Sequence, residues 1–374
     1  MNITGAVLEE IGATRPFAES RPITLSELEL DDPGPGEILV QIEAAGVCHS
    51  DLSVVDGNRV RPVPMLLGHE AAGRILGLGA GAGGSGRSKL SVGDRVVITF
   101  LPRCGACASC ATNGRLPCEI GTAANNAGTL VGGERRLSRD GVPVNHHLGV
   151  SAFATHVVVN RTSVVRVDDD VPADVAAVLG CAVLTGGGAV LNAGRPALGD
   201  TVMVVGLGGV GMAAVLTAIA AGHPVVGVDT LPEKLERALA LGASEAFTPA
   251  ELAESGVTAS VVVEAAGNAR AFETAISGTS AGGTTVTVGL PSPTAMASVS
   301  PLSLVAGART IVGSYLGSAV PQRDIPRYVE LWRAGRLPVE ELISSRISLD
   351  GINRAMDDLA DGYAIRQLIE FSAP

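Results

Sequence analysis

At 374 residues, 46% of them hydrophobic and 17% charged, the chain is too long for one typical core and too apolar to be disordered, so two globular domains are expected. A formal net charge of −11 leaves no electrostatic footprint for nucleic acid or an anionic membrane, and small-molecule chemistry remains. The opening stretch MNITGAVLEEIG has no basic n-region or long apolar run, so a cytoplasmic protein is expected, in which six cysteines read as metal ligands or buried thiols before disulfides. Residues 1–45 then read as short strands separated by turns: Gly5 to Glu10, Ile23 to Leu30, the Asp31 to Gly36 turn, and Glu37 to Ala44. This half is β-rich and lacks a βαβ rhythm.

Cys48 and Asp51 follow in GVCHSD, then His69 and Glu70 in GHEAAG. A thiolate and a neutral imidazole are both good zinc ligands, and a catalytic zinc takes three protein ligands while keeping one position open. Cys181, the one cysteine not otherwise claimed, is the candidate for the third. Ser50, two residues from Cys48, is well placed to touch whatever fills the open position. Cys104, Cys107, Cys110 and Cys118 form C-x2-C-x2-C-x7-C; four thiolates close a tetrahedral metal and leave no room for substrate, so this site reads as structural zinc, with an iron–sulfur cluster as the alternative. Leu78 to Lys89 is a glycine-rich surface loop, Gly121 to Val150 a long polar connection, and Phe153 to Val167 an alternating strand. Pro172 to Leu191 reads as a helix, a cysteine-bearing break and a glycine-rich stretch.

The stretch from Asp200 to Asp229 prescribes a strand, a glycine turn, a helix and a second strand. Val202 to Val205 is apolar and β-branched enough for a buried parallel strand. Gly206, Gly208 and Gly211 form G-x-G-x-x-G, with Gly209 and Val210 between them: a sharp turn, a close approach of pyrophosphate to backbone, and tight helix packing. The N-terminus of the helix that follows offers free N–H groups to phosphate. Asp229 ends the strand Val225 to Val228, where a carboxylate can accept from the adenosine ribose hydroxyls and repel a 2′-phosphate, which favours NAD over NADP. Val202 to Ala221 is uncharged and long enough for a membrane span, but its glycines and the absence of basic anchors argue against one. Lys234 on the next helix can reach the ribose. Val261 to Glu264 and Thr284 to Gly289 are further parallel strands, and Leu290 after the second is a candidate contact for the nicotinamide face. Asp324 to Arg336 and Asp350 to Asp361 have helical spacing, and from about Ser318 the chain is expected to rejoin the first domain.

GVCHSD, GHEAAG, the cysteine cluster, the GC…TG segment at 180–186 and GLGGVG occur in this order in the zinc-dependent medium-chain alcohol dehydrogenases, which the chain resembles over essentially its whole length. The likeness is greatest to the classical two-zinc dimeric type, which includes the glutathione-dependent formaldehyde dehydrogenases. The resemblance implies an α/β protein with a GroES-like β-rich catalytic domain over 1–183 and 319–374 and a Rossmann doubly wound parallel-sheet domain over 184–318. It further implies that Cys48, His69 and Cys181 bind a catalytic zinc, that Glu70 is a nearby or alternate ligand, and that Asp51 hydrogen-bonds His69. Ser50 would begin a proton relay through the nicotinamide ribose, although Ser53 stands where several members end that relay with a histidine. His49 and Arg366 would lie at the cofactor diphosphate and Thr185 at the nicotinamide, with Gly187 where the family often has a bulky residue. Phe100, His147 and Leu148 would line the substrate channel.

The function these implications describe is reversible hydride transfer between a primary or secondary alcohol and NAD, with two zinc ions per chain, in a homodimer that binds neither membrane nor nucleic acid. A thiol-dependent formaldehyde dehydrogenase acting on S-hydroxymethyl conjugates is the alternative, and a non-catalytic NAD-binding protein is a further one.

Overall fold

The computed structural model describes residues 1–86 and 89–371, and the chain divides into two units, Met1–Cys181 with Ile343–Pro374, and Ala182–Leu342. Arg87 and Ser88, within the glycine-rich stretch 78–89, lie outside the described residues.

The first unit is built on two sheets. In one, Asn2–Leu8 pairs antiparallel with Ile23–Leu30 and with Met65–Leu66. The other centres on Glu37–Val47, which pairs along one side with Glu70–Leu78 and divides its opposite side between His156–Asn160 and the closing strand Gln367–Glu370. Apolar side chains such as Val7, Leu28, Ile42, Leu66, Phe153 and Val158 form its buried core. Two sequence expectations are corrected here. Phe153 to Val167 is not one strand: His156–Asn160 and Val164–Val167 are separated by a 3-10 turn over Arg161–Ser163. The Asn160 side chain accepts from the Thr162 N–H and hydroxyl, drawing the backbone out of the ladder. Gly121 to Val150 is not merely a connection either. It holds most of the helix Glu119–Ala127 and the strands Leu137–Arg139, Val142–Pro143 and Asn145–His146, which extend the first sheet.

The second unit is a six-stranded sheet in which every neighbouring pair is parallel. Its strands are Val202–Val205, Val225–Val228, Glu245–Phe247, Ala259–Glu264, Thr279–Thr287 and Thr310–Gly313. Numbered in chain order they lie 3-2-1-4-5-6, the dinucleotide-binding arrangement whose switch point falls beside the first strand. The uncharged run Val202 to Ala221 is therefore a buried strand, a turn and the helix Gly209–Ala220, not a span. Helix Ala173–Gly194 is also long and apolar enough to cross a membrane, but it is mostly buried within the protein. It is one continuous helix: the expected break at Cys181 is a π-helical turn over Leu179–Val183.

The chain returns to the first unit at Ile343, not near Ser318, so helix Pro321–Arg333 belongs to the second unit. Side-chain packing accounts for this. Tyr328 on that helix is buried, and a Cβ at Gly187 would lie 2.7 Å from its hydroxyl and 2.9 Å from Thr217 Oγ1. Tyr328 thus occupies the space that a bulky residue at 187 would take. Gly187→Ala is expected to destabilise the protein by about 1–3 kcal/mol through this overlap, and Tyr328→Phe, which removes the hydroxyl, is expected to recover part of the loss in the double variant. Urea unfolding of the four proteins measures both.

Candidate active site

Cys48 precedes helix His49–Val55 at its N-cap position. His69 follows Gly68, whose φ of +93° and whose close approach to the Phe153 backbone nitrogen, 2.5 Å from a would-be Cβ, admit only glycine. Glu70 opens the strand Glu70–Leu78 opposite Gly46, where a Cβ would stand 2.6 Å from Glu70 Oε1. Cys181 lies in the π-helical turn, a distortion often found at functional positions. Three separate segments thereby bring one donor atom each from Cys48, His69, Glu70 and Cys181 within 4.8 Å of one another, all buried.

Asp51 ties this set together. Its carboxylate is fully buried. Oδ1 lies 3.0 Å from His69 Nδ1 and accepts from the Gly68 N–H at 3.1 Å, while Oδ2 accepts from the Cys48 N–H at 3.3 Å. Against the cost of burial, His69 and His147 hold Asp51 below the usual carboxylate range. Burial alone would lower His69, but Asp51 and Cys48 raise it to about 10. The hydrogen bond from Cys181 holds the Cys48 sulfur well below the usual thiol range, with help from Arg366 and His69, and the same bond together with burial pushes Cys181 well above it. Burial raises Glu70 to about 7 against the pull of Arg366. The metal-free cluster is therefore a proton-sharing set. Among the described residues, His69 Nε2 and both Glu70 oxygens have no hydrogen-bond partner. Orphaned buried polar atoms are costly, and a cation bound by two sulfurs and an imidazole would satisfy the orphaned imidazole nitrogen.

Beside this set Phe100 is buried and stands edge-on to the His69 ring, with centroids 4.8 Å apart. Leu148 is buried, its N–H donating to Asn125 Oδ1. His147 is buried too. Ser50 is half-buried, and its carbonyl accepts from the Ser53 hydroxyl at 2.9 Å. Arg366 is 3% exposed; it donates to the Val47 carbonyl at 3.0 Å and its Nε stands 3.5 Å from Glu70 Oε1. That buried ion pair was not legible in the sequence, nor was the approach of His147 to Asp51. His49 is exposed at the start of its helix.

Cys104, Cys107, Cys110 and Cys118 form a second cluster. Cys104 and Cys110, and Cys107 and Cys118, have sulfurs 4.0 Å apart, near the roughly 3.8 Å edge of a zinc–thiolate tetrahedron. Backbone N–H groups of Cys104, Ala106, Cys107, Cys110 and Gly121 point at these sulfurs. The backbone at Cys110 brings the Cys107 thiol down to about 6.

In the second unit Gly206 has φ +94°, with the Ala266 nitrogen 2.5 Å from a would-be Cβ, and Gly211 abuts the Gly206 carbonyl. Gly208 differs: a Cβ there would meet nothing within 4 Å among the described residues. Protein packing does not require glycine at 208, whereas a diphosphate lying on the backbone does. Gly209 and Val210 open the helix Gly209–Ala220. Asp229 Oδ2 accepts from Leu207 N–H at 2.7 Å and Oδ1 from Leu231 N–H at 3.1 Å, which joins the glycine turn to the end of the second strand. Thr185 is buried, Lys234 is half-buried on helix Pro232–Ala240, and Leu290 is exposed beyond the fifth strand.

Residues 34–169 match the alcohol dehydrogenase GroES-like domain and residues 209–334 match the zinc-binding dehydrogenase family. The NDMA-dependent alcohol dehydrogenase of Amycolatopsis methanolica is 36% identical, with both chains covered in full. Among solved structures, an alcohol dehydrogenase zinc-binding domain protein from Burkholderia ambifaria superimposes with a TM-score of 0.90 at 31% identity, and the benzyl alcohol dehydrogenase of Acinetobacter calcoaceticus with 0.89 at 29%, each covering 100% of both chains. With these matches spanning both units, the chain belongs to the zinc-binding medium-chain alcohol dehydrogenases and is an enzyme of that family.

Proposed function

We propose that the protein is a two-zinc, NAD-dependent dehydrogenase that moves hydride reversibly between a primary or secondary alcohol and the nicotinamide. The observation that carries this reading is the buried cluster of Cys48, His69 and Cys181 donors with an orphaned imidazole nitrogen at its centre. Zinc bound there supplies a Lewis acid that makes an alcohol several units more acidic, and NAD supplies the hydride acceptor.

The chain's own residues do the rest. Asp51 keeps the His69 proton on Nδ1, so Nε2 faces the cluster with its lone pair. Ser50 takes the alcohol proton toward solvent; the Ser53 hydroxyl is engaged with the Ser50 carbonyl and does not replace the relay histidine in this arrangement. Phe100 and Leu148 exclude water beside His69. Glu70, balanced by Arg366, is an alternate ligand. Gly206, Gly208 and Gly211 accept the diphosphate, and the Asp229 carboxylate takes the ribose and repels a 2′-phosphate.

Cys48→Ser and His69→Ala are expected to abolish turnover while leaving NAD binding intact, and the wild type to carry about two zinc ions per chain. Activity in the folded metal-free protein would overturn the reading. Benzyl alcohol, after the Acinetobacter relative, leads the substrate panel with simple primary and secondary alcohols. Formaldehyde oxidised only with added thiol would favour the conjugate dehydrogenase instead. The name of the Amycolatopsis relative favours a second reading of the electron acceptor, in which NDMA takes the electrons. Parallel assays with NAD and with NDMA separate the two.

Because Asp51 and Cys48 raise His69 to about 10 in the metal-free protein, an entering ion must displace that proton, so protons compete with zinc. Apparent zinc affinity is expected to rise between about pH 6 and pH 9, with proton release detectable by an indicator dye.

We infer a homodimer through the second unit. Thr310–Gly313 is an edge strand, and on the segment leading to it Met296, Leu302 and Val305 are each more than 70% exposed, an apolar edge that a solitary chain would leave open to pairing. Sedimentation is expected to give a dimer for the wild type and a smaller species for Val305→Glu.

A further inference from the structure

His147 has no part in the chemistry above, yet its imidazole is buried beside the cluster. It is 2% exposed; its Nδ1 lies 3.1 Å from Asp51 Oδ1, and its ring is edge-on to that of His69, with centroids 5.6 Å apart. Nδ1 is off the hydrogen-bond line and has no other partner among the described residues, so the contact is a short charge–dipole one. The backbone fixes the ring's place: the His147 N–H donates to Ser151 Oγ at 3.0 Å, and the Leu148 N–H to Asn125 at 3.0 Å.

A carboxylate behind a ligand imidazole makes that imidazole a stronger donor. Here the oxygen that serves His69 faces a second imidazole. The carboxylate is already held by the Gly68 and Cys48 N–H groups and by His69, so His147 adds little restraint and acts on its charge. We propose that His147 is a positioning residue acting through Asp51: it draws on the carboxylate charge available to His69, weakens His69 as a donor, and leaves an ion at Cys48, His69 and Cys181 more loosely held. The inference rests on the zinc reading of that site and concerns the hold on the ion, not the identity of the substrate.

The test is zinc release from the holoenzyme to a chromophoric chelator, with the four-cysteine zinc as internal reference. H147F is expected to release the catalytic zinc about 10-fold more slowly than wild type, the lower end of what outer partners of metal ligands do to affinity. H147N, which keeps an N–H donor near the Nδ1 position, is expected to release at the wild-type rate, and the four-cysteine ion to leave all three proteins equally. In cobalt-substituted enzyme H147F is expected to shift the visible d–d bands, which a packing role alone would not move. Should H147F not fold, H147L removes the same dipole and takes its place. Release from the folded variant at the wild-type rate or faster overturns the inference. Wild-type protein holding only the four-cysteine zinc overturns the zinc reading itself, and the two failures are thereby distinct.

Discussion

One buried carboxylate organises the metal-binding half of the molecule. An ionised group without solvent costs several kcal/mol unless donors surround it, and Asp51 is met by two backbone amides and two imidazoles from three segments of chain. Those amides belong to Cys48 itself and to the residue before His69. Satisfying the charge therefore fixes both loops that carry ligands. The helix that Cys48 caps and the left-handed turn at Gly68 are local conditions for that arrangement, and Gly46 leaves room for the Glu70 side chain that follows.

The second unit depends on close backbone approach. Gly206 and Gly211 are required by neighbouring backbone, Gly187 by Tyr328 and Thr217, and Gly188 by the backbone of Gly317. These contacts hold the first strand, its glycine turn and helix Gly209–Ala220 in a packing that larger residues would open. The parallel order 3-2-1-4-5-6 then gathers the C-terminal ends of its central strands at one edge, where the Asp229 carboxylate bonds back to the turn.

What could be read from the sequence was local. The dinucleotide fold was legible because strand, glycine turn, helix and acid follow one another within thirty residues, and the four-cysteine lobe because its spacing is short. The cluster of Cys48, His69, Glu70 and Cys181 was legible only through the order of several motifs, since no spacing links residue 181 to residue 48. The remainder depended on contacts distant in sequence. Nothing local marks Tyr328 as the filler opposite Gly187, or places helix Pro321–Arg333 with the second unit. Nothing in the pattern of the closing segment shows that the Arg366 guanidinium is buried against Glu70. The short strands at Leu137–Arg139 and Asn145–His146 have little apolar alternation, and their neighbours in the sheet define them.

The empty space around Gly208 has a consequence for dissecting such an enzyme. Gly206 and Gly211 are required by neighbouring backbone, so altering them confounds misfolding with any loss of affinity. At 208 the two are separable: a methyl group added there would pass unnoticed by the described polypeptide, so any change it brings would report on what the turn binds.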